Sequence, residues 1–196
     1  MVMYNNKNRH RWGIIYCPRI GSLSPRKRWN EIREYLKEKH VEYDCIQSED
    51  YTSLERQATM LADNGYETIV VVGGDGALQD VINGIMVSEN AGKVALGIIP
   101  NGIANDFATY WGLSSHDYKA AVDSIIAGRV RKVDVGCCSY RADDVEVRRY
   151  FLNVLNAGLS AQIVEIANKK RTLFAKYLYH IYGFFYSYPL RRSVLY

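Results

Sequence analysis

The sequence predicts an α/β protein: an open, mostly parallel sheet with helices on both faces, followed by the beginning of an antiparallel β-sandwich. Three observations carry this expectation. Short apolar, β-branched runs without polar alternation recur in the first 128 residues, as strands covered on both faces require. Segments with apolar residues at helical spacing separate those runs. After Arg129 the alternation stops, and two strand-like runs follow one another across a polar turn.

Taken in order, WGIIY at 12–16 reads as a short buried strand, with CPRIGSLSP after it as a turn. Ser24-Pro25 opens a helix to about residue 39, with Trp29, Ile32 and Leu36 at roughly 3.6-residue spacing. Residues 41–47 form a second strand. Residues 54–64 form a helix closed by Gly65, a residue suited to the left-handed position past a helix end. ETIVVV at 67–72 is a strong strand signal, because its β-branched side chains fit a pleated surface. A helix over 77–87, a buried strand over 94–99 and helices over about 104–110 and 118–127 follow, the last ending at Gly128.

VRKVDVGCCSYR and EVRRYFLNVLNAGL then read as two strands joined at Ala142-Asp143-Asp144. A helix over about 161–186 and a strand from 191 to 196 complete the chain. The expected division is an α/β domain over 1–128 and a partial, truncated second domain over 129–196, too few strands for an independent sandwich.

Composition narrows the function classes. At 196 residues, 48% apolar and 23% charged, with a formal charge of +4, the chain is neither disordered nor extreme in charge. No apolar run reaches the length of a membrane span or of a signal peptide core, so a cytoplasmic protein is expected. Cys17, Cys45, Cys137 and Cys138 include an adjacent pair and no Cys-x-x-Cys, which argues for reduced, mostly buried thiols and against a disulfide framework or zinc site.

The charge is unevenly placed. Residues 166–196 hold Lys169, Lys170, Arg171, Lys176, Arg191 and Arg192 and no acid, together with nine Tyr and Phe. The rest of the chain is therefore slightly acidic. Such a segment can suit an anionic membrane surface or nucleic acid; an amphipathic helix with packed aromatics and solvated basic residues is the favoured explanation.

Two segments carry chemistry. In VVVGGDGALQDVING (70–84) a buried strand runs through Gly73-Gly74-Asp75-Gly76 into a helix. Glycines allow close backbone approach, and the helix N-terminus offers free N–H groups and partial positive charge to a phosphate. The segment is neither a Walker A loop nor GxGxxG. Asp75 sets it apart, since a carboxylate repels phosphate unless a metal or a proton transfer uses it. A tight strand–helix turn with an N-capping Asp is the bland alternative. In ALGIIPNGIANDFATYWGL (95–113) a second buried strand ends in Pro100-Asn101-Gly102 before a helix with Asn105 and Asp106. Two such turns at successive strand ends face one carboxyl edge, where open α/β sheets bind ligands.

GGDGALQDVINGI and PNGIANDFATYWGL in this order, with VDVG at 133–136 and YFLNVLNAGL at 150–159, resemble the diacylglycerol kinase catalytic-domain family. That family includes bacterial lipid kinases and sphingosine and ceramide kinases, with NAD kinases and phosphofructokinases as distant relatives. The likeness runs from about Trp12 to the C-terminus. It implies an N-terminal α/β domain like that of NAD kinase and phosphofructokinase, a C-terminal β-sandwich, and ATP with Mg²⁺ in the cleft between them.

Carried over by position, the resemblance assigns nucleotide contacts to Ser48, Gly73, Gly74, Asp75, Gly76, Ala77, Leu78, Gln79 and Gly102. Asp106 matches an Asp of the metal-linked acidic network, acting through water, and Asp134 the Asp of a VDLG-like strand. Asp75 matches the proposed base of sphingosine-kinase-like members, and Asp75 and Asp134 are the catalytic candidates. Bacterial members use acidic residues late in the second domain instead.

The departures are Ala77 and Ile103 where the family has Thr, Asp80 where it has Glu, and Cys17 where it has Asn. Two lost hydroxyl contacts weaken phosphate binding by about 1–3 kcal/mol, or roughly ten- to a hundredfold in affinity. Family members also run well past this length.

The reading is an ATP- and Mg²⁺-dependent lipid kinase, or a fragment of one, phosphorylating diacylglycerol or a related lipid. Its partners are then a lipid substrate and, through 166–196, the inner membrane face; no nucleic acid is expected, and a homodimer stays open. The rivals are a catalytically inactive, truncated or degenerate nucleotide-binding domain and a kinase of a soluble acceptor in the NAD kinase branch.

Overall fold

The computed structural model describes residues 10–18, 25–48, 53–102, 104–114, 117–155 and 161. Strands β1 (Trp12–Tyr16), β2 (Tyr43–Gln47), β3 (Thr68–Gly73) and β4 (Ala95–Pro100) form one parallel sheet in the order β2-β1-β3-β4. Among the described residues the helices are α1 (Pro25–Glu38), α2 (Leu54–Asp63), α3 (Asp75–Met86), α4 (Asp106–Tyr110) and α5 (Tyr118–Ile126). β5 (Gly136–Ala142) and β6 (Val145–Phe151) pair as an antiparallel hairpin. The chain divides into two units, Met1–Asn153 and Val154–Tyr196, and all these elements lie in the first.

β3 lies between β1 and β4, and Ile69, Val70, Val71 and Val72 are fully buried. Successive side chains of a strand point to opposite faces, so this apolar run serves two cores at once. Ile69 and Val71 join Ile15 and Ile98 in one core, closed by Leu54, Ala58 and Leu61 of α2 and Leu78, Val81 and Ile85 of α3. Val70 and Val72 join Ile14, Tyr16 and Ile99 in the other, closed by Ile32, Tyr35 and Leu36 of α1 and Ala121 and Val122 of α5. The expected two-faced sheet is therefore built with α2 and α3 on one side and α1 and α5 on the other.

Local chemistry sets the element ends. Gly65 (φ 83°) and Gly128 (φ 62°) take the left-handed conformation after α2 and α5, as a side chain there would resist. Asp117 caps α5 by accepting from the Ala120 N–H at 3.0 Å. Asp143 (φ 48°) and Asp144 (φ 62°) form a two-residue turn whose twist matches the paired strands, which pins the register at Ala142↔Val145.

Three details depart from the sequence expectation. α3 begins at Asp75 rather than 77, because Gly74 is extended and its carbonyl accepts from the Leu78 N–H at 3.0 Å. α4 begins at Asp106 rather than 104, because Asn105 sits in the left-handed region (φ 55°, ψ 45°). The cysteines are free, but none is fully buried: Cys17 and Cys138 are intermediate, while Cys45, on the edge strand β2, and Cys137, on the hairpin, are exposed. The edge strand and the two-stranded hairpin are only partly covered, although Tyr43 and Ile46 of β2 do pack against the two cores. The helix expected over 161–186 (beyond Ala161) and the strand over 191–196 lie outside the described residues.

Candidate functional site

In a parallel sheet all strands end at one edge. Here that edge gathers Cys17 after β1, Ser48 after β2, Gly73 at the end of β3, and Asn101 and Gly102 after β4. The chain leaves β1 toward α1 on one face and leaves β3 toward α3 on the other. The helices that follow β1 and β3 thus pack on opposite faces, and this reversal between neighbouring strands is the place where doubly wound sheets with this strand order form their ligand crevice.

The two glycine turns are in direct contact beside that crevice. The Asn101 N–H donates to the Gly73 carbonyl at 2.7 Å, extending the β3–β4 ladder by one bond. A Cβ on Gly102 would lie 2.4 Å from the Gly74 Cα, and one on Gly74 would lie 2.8 Å from the Gly102 Cα. Only glycine at both positions lets the backbones approach this closely. Asn105, buried in its left-handed conformation, closes the second turn: Oδ1 accepts from the Gly102 N–H at 2.8 Å and Nδ2 donates to the Gly102 carbonyl at 3.0 Å.

Asp75 links the turns. Its Oδ2 accepts from the Asp106 N–H and its Oδ1 from the Phe107 N–H, both at 3.0 Å. The carboxylate thus caps the N-terminus of α4, not of its own helix, where it meets orphan donors and the positive end of the helix. This also brings the exposed Asp106 beside the first turn.

Gly76 is different from the other three glycines of the turns. It lies in the first turn of α3, exposed, without a positive φ, and a Cβ there would meet nothing within 4 Å. Packing and backbone geometry do not require glycine there, and in a helix glycine is less favourable than alanine by roughly 0.5–1 kcal/mol. The space its missing side chain leaves lies at the N-terminus of a 12-residue helix, where free N–H groups face outward. In the second turn the Asn101 Nδ2 is buried without a hydrogen-bond partner among the described residues.

The other candidate residues are placed less directly. Ala77 and Leu78 are buried in the α2–α3 core, and since the Leu78 N–H already donates to the Gly74 carbonyl, of these two only the Ala77 main chain is on offer to a ligand. The Gln79 side chain donates from Nε2 to the Tyr150 carbonyl on β6. Ser48 is buried, its N–H donating to the Tyr16 carbonyl at 2.9 Å and its Oγ 3.1 Å from the Ser53 Oγ. Asp134 is exposed two residues before β5, with no hydrogen bond to the glycine turns among the described residues. Ile103 lies outside the described residues.

A half-buried ionic cluster flanks the crevice. Arg149 of β6 meets Glu55 of α2 at 2.6 Å and Asp80 of α3 at 3.9 Å. Burial, and then the nearby Glu55, push the Asp80 carboxyl up to about 6, while Arg149 pulls it back. Burial, and then Asp80, push the Cys17 thiol up to about 12, which favours its neutral, weakly nucleophilic form.

Among the described residues no three His, Cys, Asp or Glu side chains converge as a metal site. A Mg²⁺ ion does not need them to, because it keeps several waters and is commonly held by one or two carboxylates and substrate phosphates. The exposed Asp106, near the open space at Gly76, fits that mode. Sequence reasoning missed Arg149, Asn83 and the cross-turn cap by Asp75. The signals were an Asn inside the apolar run VING and an Asn-Asp pair before α4, both readable only once the partner elements are in place.

A family model described as the diacylglycerol kinase catalytic domain matches residues 11–138. The chain belongs to the diacylglycerol kinase catalytic-domain family. Over 177 residues it is 30% identical to a diacylglycerol kinase of Staphylococcus saprophyticus subsp. saprophyticus, an alignment covering 90% of this chain and 54% of that one. A Staphylococcus epidermidis diacylglycerol kinase is 31% identical, at 90% of this chain and 52% of that one. The chain thus spans about half the length of the curated family relatives it matches. A crystal structure of a diacylglycerol kinase from Bacillus anthracis str. Sterne shares the fold, with a TM-score of 0.61 at 23% identity over 82% of this chain and 53% of that one. Among the described residues of this family member, no helix is long and apolar enough to cross a membrane.

Proposed function

We propose that this chain forms the nucleotide-binding part of an ATP- and Mg²⁺-dependent lipid kinase that transfers the γ-phosphoryl group to the hydroxyl of diacylglycerol or a related lipid. The observation that carries the proposal is Gly76, a glycine that the fold does not require, at the opening of α3 beside the β1–β3 crevice. The diacylglycerol kinases among its relatives supply the lipid acceptor.

In phosphoryl transfer a protein mainly positions groups and offsets charge. Main-chain N–H groups of residues 75–77 in the first turn of α3, ahead of the Leu78 N–H that already donates to the Gly74 carbonyl, would hold phosphates, aided by the helix dipole. Mg²⁺, held through water by Asp106, would supply positive charge that a loop without a Walker lysine lacks. Asp75 keeps a second lone pair on each oxygen after capping α4, and that face would orient the lipid hydroxyl and accept its proton. Asp134, at the entry to the hairpin, would approach the same acceptor from the second domain. We assign residues 1–128 to the nucleotide-binding domain and 129–196 to the start of the lipid domain, whose basic segment at 166–196 would meet anionic headgroups at the inner membrane face.

The test is phosphorylation of diacylglycerol in mixed micelles by the 196-residue chain, with and without Mg²⁺. Transfer should require the metal. Asp75→Asn keeps one acceptor oxygen but places an amide donor against an N–H of α4, and cannot take a proton. Transfer should fall at least about a hundredfold, the usual scale for general-base loss. Full activity of Asp75→Asn would sink the role given to Asp75. The absence of transfer together with retained ATP binding would favour the non-catalytic reading, to which Ala77 already lends support by offering no hydroxyl.

A further inference from the structure

We propose that Arg149 is a positioning residue: from β6 it joins the start of α2 to α3 and thereby fixes the β5–β6 hairpin, with Asp134 just ahead of it, relative to the glycine turns. Its bearing on phosphoryl transfer rests on the kinase reading above; the structural part stands without it.

The hairpin is fastened to α3 at two places. The first is Tyr150, whose main-chain groups are both met by α3 side chains. The Tyr150 N–H donates to the Asn83 Oδ1 at 2.9 Å, and the Tyr150 carbonyl accepts from the Asn83 Nδ2 at 2.9 Å and from the Gln79 Nε2. Asn83 is buried and acts as the next strand would, satisfying an edge that would otherwise be left unpaired. The second is Arg149, with Glu55 on one side and Asp80 on the other.

Arg149 is the component that cannot be spared. Glu55 and Asp80 repel each other, and Asp80 is only 23% exposed. Thr59 of α2, which donates to the Gly84 carbonyl at 2.8 Å, and the shared apolar core hold the two helices together against that repulsion. Cys17, the other titratable group facing Asp80, is neutral and offsets nothing. The guanidinium is therefore the charge that opposes the upward push on the Asp80 carboxyl, and it arrives on β6. Register carries the effect onward. Tyr150 pairs with Cys137 and Phe151 with Gly136, so fixing β6 fixes the start of β5 and the chain leaving Asp134. The same helix, α3, begins at the glycine loop.

Hydrogen exchange of the full chain, with NMR titration of the Asp80 carboxyl, tests this without requiring turnover. Arg149→Ala should speed exchange in 136–151 by roughly fivefold, the factor for an ion pair at the upper end of exposed-pair values, and leave β1, β3 and β4 unchanged. It should also move the Asp80 titration upward from about 6. Arg149→Lys should hold the titration near its original place while restoring only part of the protection, since one ammonium does not span two carboxylates. Unchanged hairpin exchange in a folded Arg149→Ala chain overturns the proposal, as does an unmoved titration. Should Arg149→Ala unfold, the Glu55→Gln, Asp80→Asn double variant decides. Faster hairpin exchange over a protected core supports the proposal, and unchanged exchange overturns it. Loss of kinase activity does not enter either readout, so the two readings fail separately.

Discussion

Gly102→Ala is expected to disable nucleotide binding and to destabilise the fold. The new Cβ would sit 2.4 Å from the Gly74 Cα and 2.6 Å from the Asn105 Oδ1. Neither neighbour can yield cheaply. Gly74 is the cap of α3, and Asn105 is buried and bonded back to Gly102 through both its amide atoms. The second turn must therefore lift off the first, stretching the two bonds from α4 to Asp75. Overpacking of this kind costs about 1–3 kcal/mol, and if the proposed phosphate site spans the two turns, separating them should weaken ATP at least roughly tenfold, the equivalent of 1.4 kcal/mol. Urea unfolding and ATP titration by calorimetry measure the two effects on one preparation. A chain with wild-type affinity would show that the turn–turn contact serves packing alone.

Gly84→Ala should cause the largest loss of stability, with no direct effect on the site. Gly84 is buried at the α2–α3 crossing, where a Cβ would lie 2.1 Å from the Glu55 carbonyl oxygen and 2.8 Å from the Ala58 Cβ. Thr59 holds the same crossing, its Oγ1 donating to the Gly84 carbonyl at 2.8 Å and to the Glu55 carbonyl at 3.0 Å. Alanine gains about 1 kcal/mol of helix propensity over glycine. Overpacking costs about 1–3 kcal/mol, and a Cβ 2.1 Å from a backbone oxygen belongs at the top of that range, so packing wins. A net loss of about 2 kcal/mol lowers the melting temperature by roughly 4–8 °C for a chain of this size. An unchanged or raised melting temperature would mean that the helices cross less closely than the structure has them.

The sheet was legible because its signals are local. The uninterrupted run Ile69–Val70–Val71–Val72 can only be a strand with two covers, and the helices that cover it declare themselves by spacing at Leu54, Ala58 and Leu61 or Ile32 and Leu36. The edge location of the two glycine turns followed from parallel pairing alone. What the sequence could not disclose depends on partners far apart in the chain. Asp75 looks like a cap for the helix it begins, yet it caps one 31 residues later. Asn83 looks like a polar flaw in an apolar helix and instead finishes the edge of β6, 67 residues away. The glycines illustrate the same limit: four of them stand alike in two motifs, and only the structure separates Gly73, Gly74 and Gly102, which packing requires, from Gly76, which it does not.

That distinction supplies the most direct test. Gly76 has an ordinary helical backbone and open space around it, so alanine there should stabilise the free chain by about 0.4–1 kcal/mol, raising its melting temperature by roughly 1–4 °C. If phosphates bind at the start of α3, the added methyl enters their space. Thermal unfolding of wild-type and Gly76→Ala chains, each with and without saturating Mg²⁺ and ATP, reads both effects together. A nucleotide site at the glycine turns predicts a higher melting temperature for the variant alone and loss of most of the stabilisation that ATP gives the wild type. A variant that is stabilised by ATP as strongly as the wild type would contradict it.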